Sequence, residues 1–342
     1  MSKNNIIVLG IIFFLVIACQ KVDNLTDKHN ISFKKPDYFP EPIYNFSANP
    51  LTDAGFNLGK KLFYETKLSR DNSISCGSCH IAEHGFTHHG HDVSHGIEDR
   101  VGIRNSMPLF NLAWSKSFFW DGGIFHLDLF PIAPIENSVE MDEKLPNVIN
   151  KLKGSEEYKK MFQLAFGSAD INSTTMFKAL SQFMIALVST DSKYDKVMKK
   201  DADFTTTEQL GYNIFRANCN SCHREPLFTD YSFRDNGIGE NIAKDQGRWE
   251  ISQLDADRLK FKVPSLRNLR FTAPYMHDGS YRTLEAVINH YRKEIQLTQN
   301  LDPILRKNMK IDLTDDEVSS LLAFLDCLND ETFIRNTQFQ EQ

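Results

Sequence analysis

The sequence predicts an all-α protein made of two related helical halves in tandem, connected by long loops. Apolar residues recur at helical spacing in "TTMFKALSQFMIALVS" from Thr174 and in "LTDDEVSSLLAFLDCL" from Leu313. Strand-like alternation is scarce. In addition, "LTDAGFNLGKKLF" from Leu51 is similar to "FTTTEQLGYNIF" from Phe204, which indicates an internal duplication. Each half is therefore expected to open with the same kind of helix.

The duplicated helices set the expected domain boundary. Thr205 with Glu208 forms a capping-box pattern before the second helix, and Thr314 with Glu317 forms another before a late helix. We place the boundary near residue 200, which gives halves of 51–199 and 200–342. Aligned on their Leu-Gly pairs, the first helix contributes Leu58, Gly59, Leu62 and Phe63, and the second contributes Leu210, Gly211, Ile214 and Phe215.

Each duplicated helix runs toward a C-x-x-C-H motif, "CGSCH" in the first half and "CNSCH" in the second. Cysteines at this spacing can each add to a vinyl group of one porphyrin, and the adjacent histidine can ligate its iron. A zinc ribbon fits poorly, because such sites space their cysteine pairs by about 15 to 20 residues and these pairs lie in different halves. The motifs therefore predict two covalently bound c-type haems, attached through Cys76, Cys79, His80, Cys219, Cys222 and His223.

The N-terminus predicts export. Lys3 precedes an apolar run from Ile6 to Ala18, which is too short to span a bilayer of about 30 Å but suits a signal peptide at 1–18. The run ends in "VIAC", which resembles the lipobox of bacterial lipoproteins, so that Cys19 would carry lipid. The alternative is a plain secretory signal cut near the same place.

The remaining composition is ordinary. A formal net charge of −6 argues against nucleic acid as a partner. Residues 19–50 are predicted to form a tether and an extended lead-in, because they are polar and carry four prolines between Pro36 and Pro50. Cys327 lies in an apolar helical pattern, so we expect a buried small hydrophobic side chain rather than a reactive thiol.

From Leu51 to Leu328 the chain resembles the bacterial di-haem cytochrome c peroxidases and their relative MauG. The resemblance is carried by both haem motifs and by "RNSMPLFNLAW", "FFWDGG", "PIENSVEM" and "FKVPSLRNLRFTAPYMHDGSYRTLEAVINHY". It implies two cytochrome c-like domains, with peroxide reacting at the N-terminal haem and electrons entering at the C-terminal haem. His80 and His223 are then the proximal ligands. It also implies a periplasmic enzyme that takes electrons from a small cytochrome c or cupredoxin, and a homodimer.

The resemblance assigns roles to two further residues. Trp120 in "FWDGG" matches a tryptophan between the haems, where an aromatic ring can shorten the electron path. Glu140 in "VEM" matches a glutamate over the peroxide site, where a carboxylate can accept and return a proton. Taken alone, Trp120 would be a core residue and Glu140 a surface acid.

A calcium site is also implied by the resemblance. Asn105 matches a ligating asparagine side chain, and Thr272 and Pro274 match two backbone carbonyl donors. Oxygen ligands of this kind suit Ca²⁺, and the ion would hold the two haem domains in register.

Near the first haem, the chain departs from the family pattern. Relatives that need reductive activation carry a histidine 16 residues after the first haem histidine, and this histidine caps the iron. That position is Gly96 here, with His95 one step short, so His95 is the best candidate for a removable sixth ligand. The alternative is a solvated or adventitious metal-binding cluster formed by His84, His88, His89, His91 and His95.

Near the second haem, Tyr291 replaces the methionine that peroxidases use as sixth ligand, and MauG uses a tyrosine there. Met276 and His290 are close enough in sequence to compete. Phe130 also replaces a common glutamine near the peroxide pocket, which predicts weaker hydrogen bonding there. The leading expectation is a peroxidase that reduces H2O2 to water. The alternatives are a MauG-like enzyme that oxidises side chains of a partner protein, and a non-catalytic di-haem electron carrier.

Overall fold

A computed structural model describes residues 31–341, and within them the chain is mostly helical, as predicted. The export signal and Cys19 lie outside the described residues. One antiparallel pair of two-residue strands, β1 (Phe233–Arg234) and β2 (Phe261–Lys262), interrupts the helices. The α-helices are α1 (Asp53–Phe63), α2 (Cys76–Cys79), α3 (Ile132–Glu136), α4 (Leu145–Lys153), α5 (Glu156–Phe166), α6 (Ser173–Ala186), α7 (Lys193–Met198), α8 (Thr206–Asn218), α9 (Trp249–Ser252), α10 (Leu284–Asn289), α11 (Pro303–Asn308), α12 (Asp315–Asp326) and α13 (Glu331–Ile334).

The two duplicated helices pack in the same way. Helix α1 packs against α6, and α8 packs against α12. A Cβ added to Gly59 would lie 1.9 Å from the carbonyl oxygen of Ala179, and one added to Gly211 would lie 1.9 Å from that of Ser320. The glycine of each Leu-Gly pair is therefore the point where two helix backbones meet, which explains why both copies carry it.

The predicted helix starts are confirmed. Thr205 caps α8 and Thr314 caps α12, each with the reciprocal bond of a capping box. Such a box satisfies two backbone N–H groups that would otherwise lack partners at a helix start. Local sequence chemistry therefore determines where both of these helices begin.

Two main hydrophobic cores lie around these helix pairs. The larger one includes Phe56, Phe63 and Phe183, and the smaller one includes Phe215 and Phe324. Cys327 is 3 % exposed at the end of α12, as expected for a buried hydrophobic side chain.

The lead-in segment packs along the folded chain. The Trp114 indole donates a hydrogen bond to the Pro40 carbonyl at 2.8 Å, and the Tyr38 hydroxyl donates to Asp195 at 2.6 Å. Asp195 also forms an ion pair with Arg267, and both side chains are fully buried. Within residues 31–341, no helix combines the length and the apolar character needed to cross a membrane.

Candidate functional site

The first C-x-x-C-H motif forms the short helix α2 and the residue after it. The His80 Nδ1 donates a hydrogen bond to the Phe86 carbonyl at 2.7 Å, which leaves Nε2 as the ring's lone-pair donor. Burial lowers the pKa of His80 to about 4, so the imidazole is neutral at physiological pH. Burial also raises the pKa of Cys76 to about 12 and that of Cys79 to about 11. Two half-buried thiols beside a neutral, oriented imidazole fit the attachment of a c-type haem.

Glu140 lies close to this motif. Its negative charge contributes to the raised pKa of both Cys76 and Cys79, which places the carboxylate within electrostatic reach of the two sulfurs. Burial raises the pKa of Glu140 itself. The Asn137 side-chain amide opposes that rise by donating a hydrogen bond to Glu140 Oε1 at 2.8 Å. Glu140 is therefore a half-buried, oriented acid rather than the surface carboxylate that its sequence context alone suggests.

The second motif opens onto a large cavity of about 230 Å³, lined by Cys219, Cys222 and His223. His223 Nδ1 donates to the Pro264 carbonyl at 3.1 Å, so this imidazole also keeps its Nε2 lone pair free. Burial raises the pKa of Cys219 to about 12. The cavity wall also includes apolar side chains from α10 and α12, namely Leu284, Val287, Ile288, Leu321 and Leu325. The donor set and the apolar wall fit a second c-type haem.

Tyr291 and Met276 both line this cavity. Tyr291 lies in a π-helical turn, His290–Glu294, a conformation that is often found at functional sites. Burial raises the pKa of Tyr291 to about 12. His290 does not line the cavity, and its Nε2 hydrogen-bonds to the Asn236 carbonyl at 3.0 Å. Of the three candidate ligands on this side, Tyr291 and Met276 therefore face the cavity.

Trp120 lies at the wall of the second cavity and is 8 % exposed. Its indole N–H donates to the Asn105 carbonyl at 2.8 Å, and its own carbonyl accepts from the Lys262 backbone at 2.7 Å. Asn105, Thr272 and Pro274 line the same cavity. The structure thus brings the three candidate calcium ligands and the candidate inter-haem tryptophan to one region.

The segment around His95 is held against the first motif. The His95 imidazole hydrogen-bonds to Asp99 through Nδ1 at 2.8 Å and is 32 % exposed, while its carbonyl accepts from the Cys79 thiol at 3.2 Å. Gly96 packs against the Glu140 backbone, and a Cβ at Gly96 would lie 2.5 Å from Glu140 Cα. A larger side chain at position 96 would collide with the segment that carries the candidate acid.

The remaining histidines lie in groups of neighbouring rings, since the His91 ring centroid is 4.4 Å from that of His95 and 6.4 Å from that of His88. His84 stacks on His89 with ring centroids 4.0 Å apart, and His88 is buried between Asn105 and Ser106. No three His, Cys, Asp or Glu side chains among residues 31–341 form a metal-binding group.

Phe130 forms part of an aromatic cluster. Its ring centroid lies 5.4 Å from that of Phe118 and 4.8 Å from that of Phe119, and all three line a small cavity of about 50 Å³. The wall contributed by these rings is apolar, in line with the loss of a hydrogen-bonding glutamine at this position.

Sequence reasoning did not identify Lys262 as a functional residue. Its ammonium group donates to the Ser117 carbonyl at 2.7 Å, and burial lowers its pKa to about 7. Lys262 lines both the small and the large cavity. The motif "FKVPSLRN" contains it, but nothing in that string shows that the lysine is buried.

Asn137 and Asn236 were also missed. Asn137 orients Glu140, and Asn236 contacts both Met276 and Tyr291. An asparagine in a loop is common in any sequence, so only the three-dimensional contacts distinguish these two.

Comparison with known proteins agrees with this geometry. The family model for di-haem cytochrome c peroxidase matches residues 53–203. The chain is 33% identical over 326 residues to methylamine utilization protein MauG of Methylophilus methylotrophus. The aligned region covers 92% of this chain and 94% of that protein. It is 32% identical over 294 residues to cytochrome c551 peroxidase of Nitrosomonas europaea, with 84% of each chain covered.

A solved structure has the same fold. It is described as a MauG-like protein associated with microbial copper homeostasis, and it superposes with a TM-score of 0.82 at 30% identity, covering 90% of this chain and 98% of that one. The motifs, their geometry and these similarities lead to one conclusion. The chain belongs to the di-haem cytochrome c peroxidase family, which includes MauG.

Proposed function

We propose that this protein is a periplasmic di-haem peroxidase that reduces H2O2 to two waters with two protons and two electrons from a small redox protein. The observation that carries the proposal is the half-buried Glu140 carboxyl, which is oriented by Asn137 and lies near the first haem motif. Bound c-type haem supplies iron redox chemistry at both motifs. The protein's contribution is to hold the haems, move protons and route electrons.

The proposed division of labour follows the two glycine-mediated helix pairs, α1 with α6 and α8 with α12. We assign residues 51–199 to the peroxidatic domain and residues 200–342 to the electron-accepting domain. His80 and His223 would ligate iron through Nε2, because Nδ1 of each ring hydrogen-bonds to a backbone carbonyl. That hydrogen bond also orients the ring and makes it a stronger donor.

Glu140 is the proposed proton carrier. A carboxyl whose pKa is raised by burial lies nearer the working pH than an exposed one, which suits alternate uptake and release of a proton. It accepts the first proton of H2O2 and returns it to the departing oxygen. Asn137 is a positioning residue, since its amide fixes one carboxylate oxygen.

Trp120 is the proposed bridge for electrons leaving the second site. It lines that cavity, and its indole hydrogen bond to Asn105 restrains the ring. Calcium bound by Asn105, Thr272 and Pro274 would stiffen the same region.

We further propose that the first haem needs no histidine to leave before it reacts. Two observations support this: the His95 imidazole hydrogen-bonds to Asp99, and Gly96 packs closely against Glu140.

The donor is a small cytochrome c or cupredoxin that docks near the second site. Cys19 carries the lipid anchor, and the protein functions as a homodimer.

The function is tested with purified holoprotein whose two haems are confirmed by a pyridine haemochrome assay. Peroxide-dependent oxidation of a reduced small cytochrome c should proceed without prior reduction of the enzyme. The proposal would be refuted if, in the presence of peroxide, the enzyme oxidised neither a reduced cytochrome c nor a reduced cupredoxin.

A MauG-like role is the second candidate, because Tyr291 lines the second cavity where MauG-type enzymes use a tyrosine. In that case the partner is a protein whose side chain is oxidised. Mass spectrometry of candidate partners after incubation with enzyme and peroxide separates the two functions: a stable mass change in the partner favours the MauG-like role, whereas turnover of the small donor alone favours the peroxidase.

A further inference from the structure

One residue, Asn236, contacts both side chains that compete for the second haem. Its side-chain amide nitrogen lies 3.5 Å from Met276 Sδ, and the same side chain is near enough to the Tyr291 hydroxyl to oppose the rise that burial causes in its pKa. All three residues line the same cavity as Cys219 and Cys222. A haem iron held by His223 could take only one of these two side chains as its second protein ligand, so their surroundings would decide which one binds.

The orientation of the Asn236 amide is determined by its own loop. Its Oδ1 accepts a hydrogen bond from the Ile238 backbone at 3.2 Å, which leaves the NH2 group, with its two N–H donors, for Met276 and Tyr291. The Asn236 carbonyl accepts from His290 Nε2 at 3.0 Å, which keeps that imidazole engaged outside the cavity.

The backbone around Asn236 is held firmly. The buried Asp235 side chain accepts from the Gly237 backbone at 2.9 Å and from the Thr298 hydroxyl at 2.6 Å. Gly237 has a φ of +74°, and a Cβ there would lie 2.6 Å from Ile295 Cγ2. The amide is therefore presented by a tightly packed loop, so it does not simply follow whichever ligand binds.

We propose that Asn236 selects Tyr291 over Met276 as the sixth ligand of the second haem. Its amide would donate one hydrogen bond to the tyrosine oxygen, and its contact with the methionine sulfur would keep that sulfur away from the iron. This inference rests on the proposed function only in requiring haem at the second site.

The selection has a simple physical basis. A ligating tyrosine oxygen carries negative charge, and an N–H hydrogen bond to a charged acceptor is roughly twice as strong as one to a neutral acceptor. A thioether sulfur is a weak acceptor, so the amide stabilises methionine ligation far less. Without the amide, the cavity is more apolar and favours the neutral thioether. An anionic oxygen ligand stabilises ferric iron, whereas methionine ligation raises the reduction potential.

The test compares Asn236→Leu with wild-type holoprotein. Wild type should show the low-spin electron paramagnetic resonance (EPR) signal of oxygen ligation at the second haem and a low reduction potential. Asn236→Leu should show the thioether-to-iron charge-transfer band of methionine ligation and an upward shift in that potential. Asn236→Leu combined with Met276→Leu should lose the new band. Asn213→Leu, an exposed asparagine on α8, is the matched control and should retain the wild-type spectrum.

Two further variants keep the test valid if Asn236→Leu folds poorly. Tyr291→Phe should produce the same methionine band, and Met276→Leu alone should leave the wild-type spectrum unchanged. Methionine ligation in wild type, or an unchanged spectrum in folded Asn236→Leu, would overturn the selection. Peroxidase turnover is measured on the same samples: if ligand exchange occurs but wild type reduces no peroxide, the proposed function fails and the selection stands.

Discussion

Gly96 packs directly on the backbone of Glu140. A Cβ at Gly96 would lie 2.1 Å from the Val139 carbonyl oxygen and 2.5 Å from Glu140 Cα, and the neighbouring Ile97 N–H donates to the Glu140 carbonyl at 2.7 Å. The position where activated relatives place a capping histidine is thus used here to support the segment that carries the candidate acid.

This contact predicts that Gly96→His does not restore a capping ligand. The imidazole would force the Glu140 segment to move, and overpacking against backbone should lower the free energy of unfolding by at least about 2 kcal/mol. Denaturant unfolding of the holoprotein measures the loss. A stable variant with a new low-spin EPR signal at the first haem would contradict the prediction.

His95→Ala tests whether His95 ligates iron at all. Because the imidazole is engaged with Asp99 and partly exposed, its removal should leave the ferric EPR spectrum of the first haem and the peroxide turnover of untreated enzyme unchanged. Asp99→Asn, which weakens the same His95–Asp99 contact but keeps the imidazole, serves as the control. Conversion of a low-spin signal to a high-spin signal in His95→Ala would identify His95 as a ligand.

Glu140→Gln should lower kcat/KM for peroxide by about 10² to 10⁴, because the amide cannot carry the proton. The exposed Glu83, which follows the same haem motif, provides the control: Glu83→Gln should be near wild type. Stopped-flow mixing with peroxide measures both variants. Equal rates for Glu140→Gln and wild type would remove Glu140 from the mechanism.

Lys262 makes stability depend on pH. Its folded pKa of about 7 lies below the ordinary value of 10.5, so between these values the unfolded chain binds a proton that the folded chain does not. The free energy of unfolding should therefore rise with pH across this window, and the destabilisation is fully present below pH 7. Lys262→Met should stabilise the protein by about 1 to 3 kcal/mol at pH 6 and show a smaller slope. Lys260→Met is the control, and destabilisation by Lys262→Met at pH 6 would contradict this account.

Gly211→Ala should lower the free energy of unfolding by about 2 to 3 kcal/mol, because the new methyl group would meet the Ser320 carbonyl of α12. Gly59→Ala should lower the free energy of unfolding in the same way, because its methyl group would meet the Ala179 carbonyl. At Gly167 the added methyl group meets no atom within 4 Å, so Gly167→Ala measures only the cost of placing alanine at a φ of +73°. Thermal unfolding of the three variants makes the comparison. Equal stability of Gly211→Ala and wild type would show that the helices can separate at little cost.

The sequence by itself determined the features that depend on local chemistry. The C-x-x-C-H spacing indicates haem attachment whatever the surrounding fold, because attachment needs five consecutive residues. The starts of α8 and α12 follow from Thr205 and Thr314, because a capping box is complete within four residues. The repeated Leu-Gly pair likewise predicted a duplicated helix.

Only the tertiary structure decided what depends on residues far apart in the chain. The burial of Lys262, the confinement of Gly96 and the contacts of Asn236 with Met276 and Tyr291 each join segments that the sequence does not relate. The same holds for Glu140, which the sequence alone predicts to be a surface acid and which the fold partly buries near Cys76 and Cys79. The physical reason is that desolvation and hydrogen-bond geometry are properties of the packed surroundings, and residue type alone does not specify them.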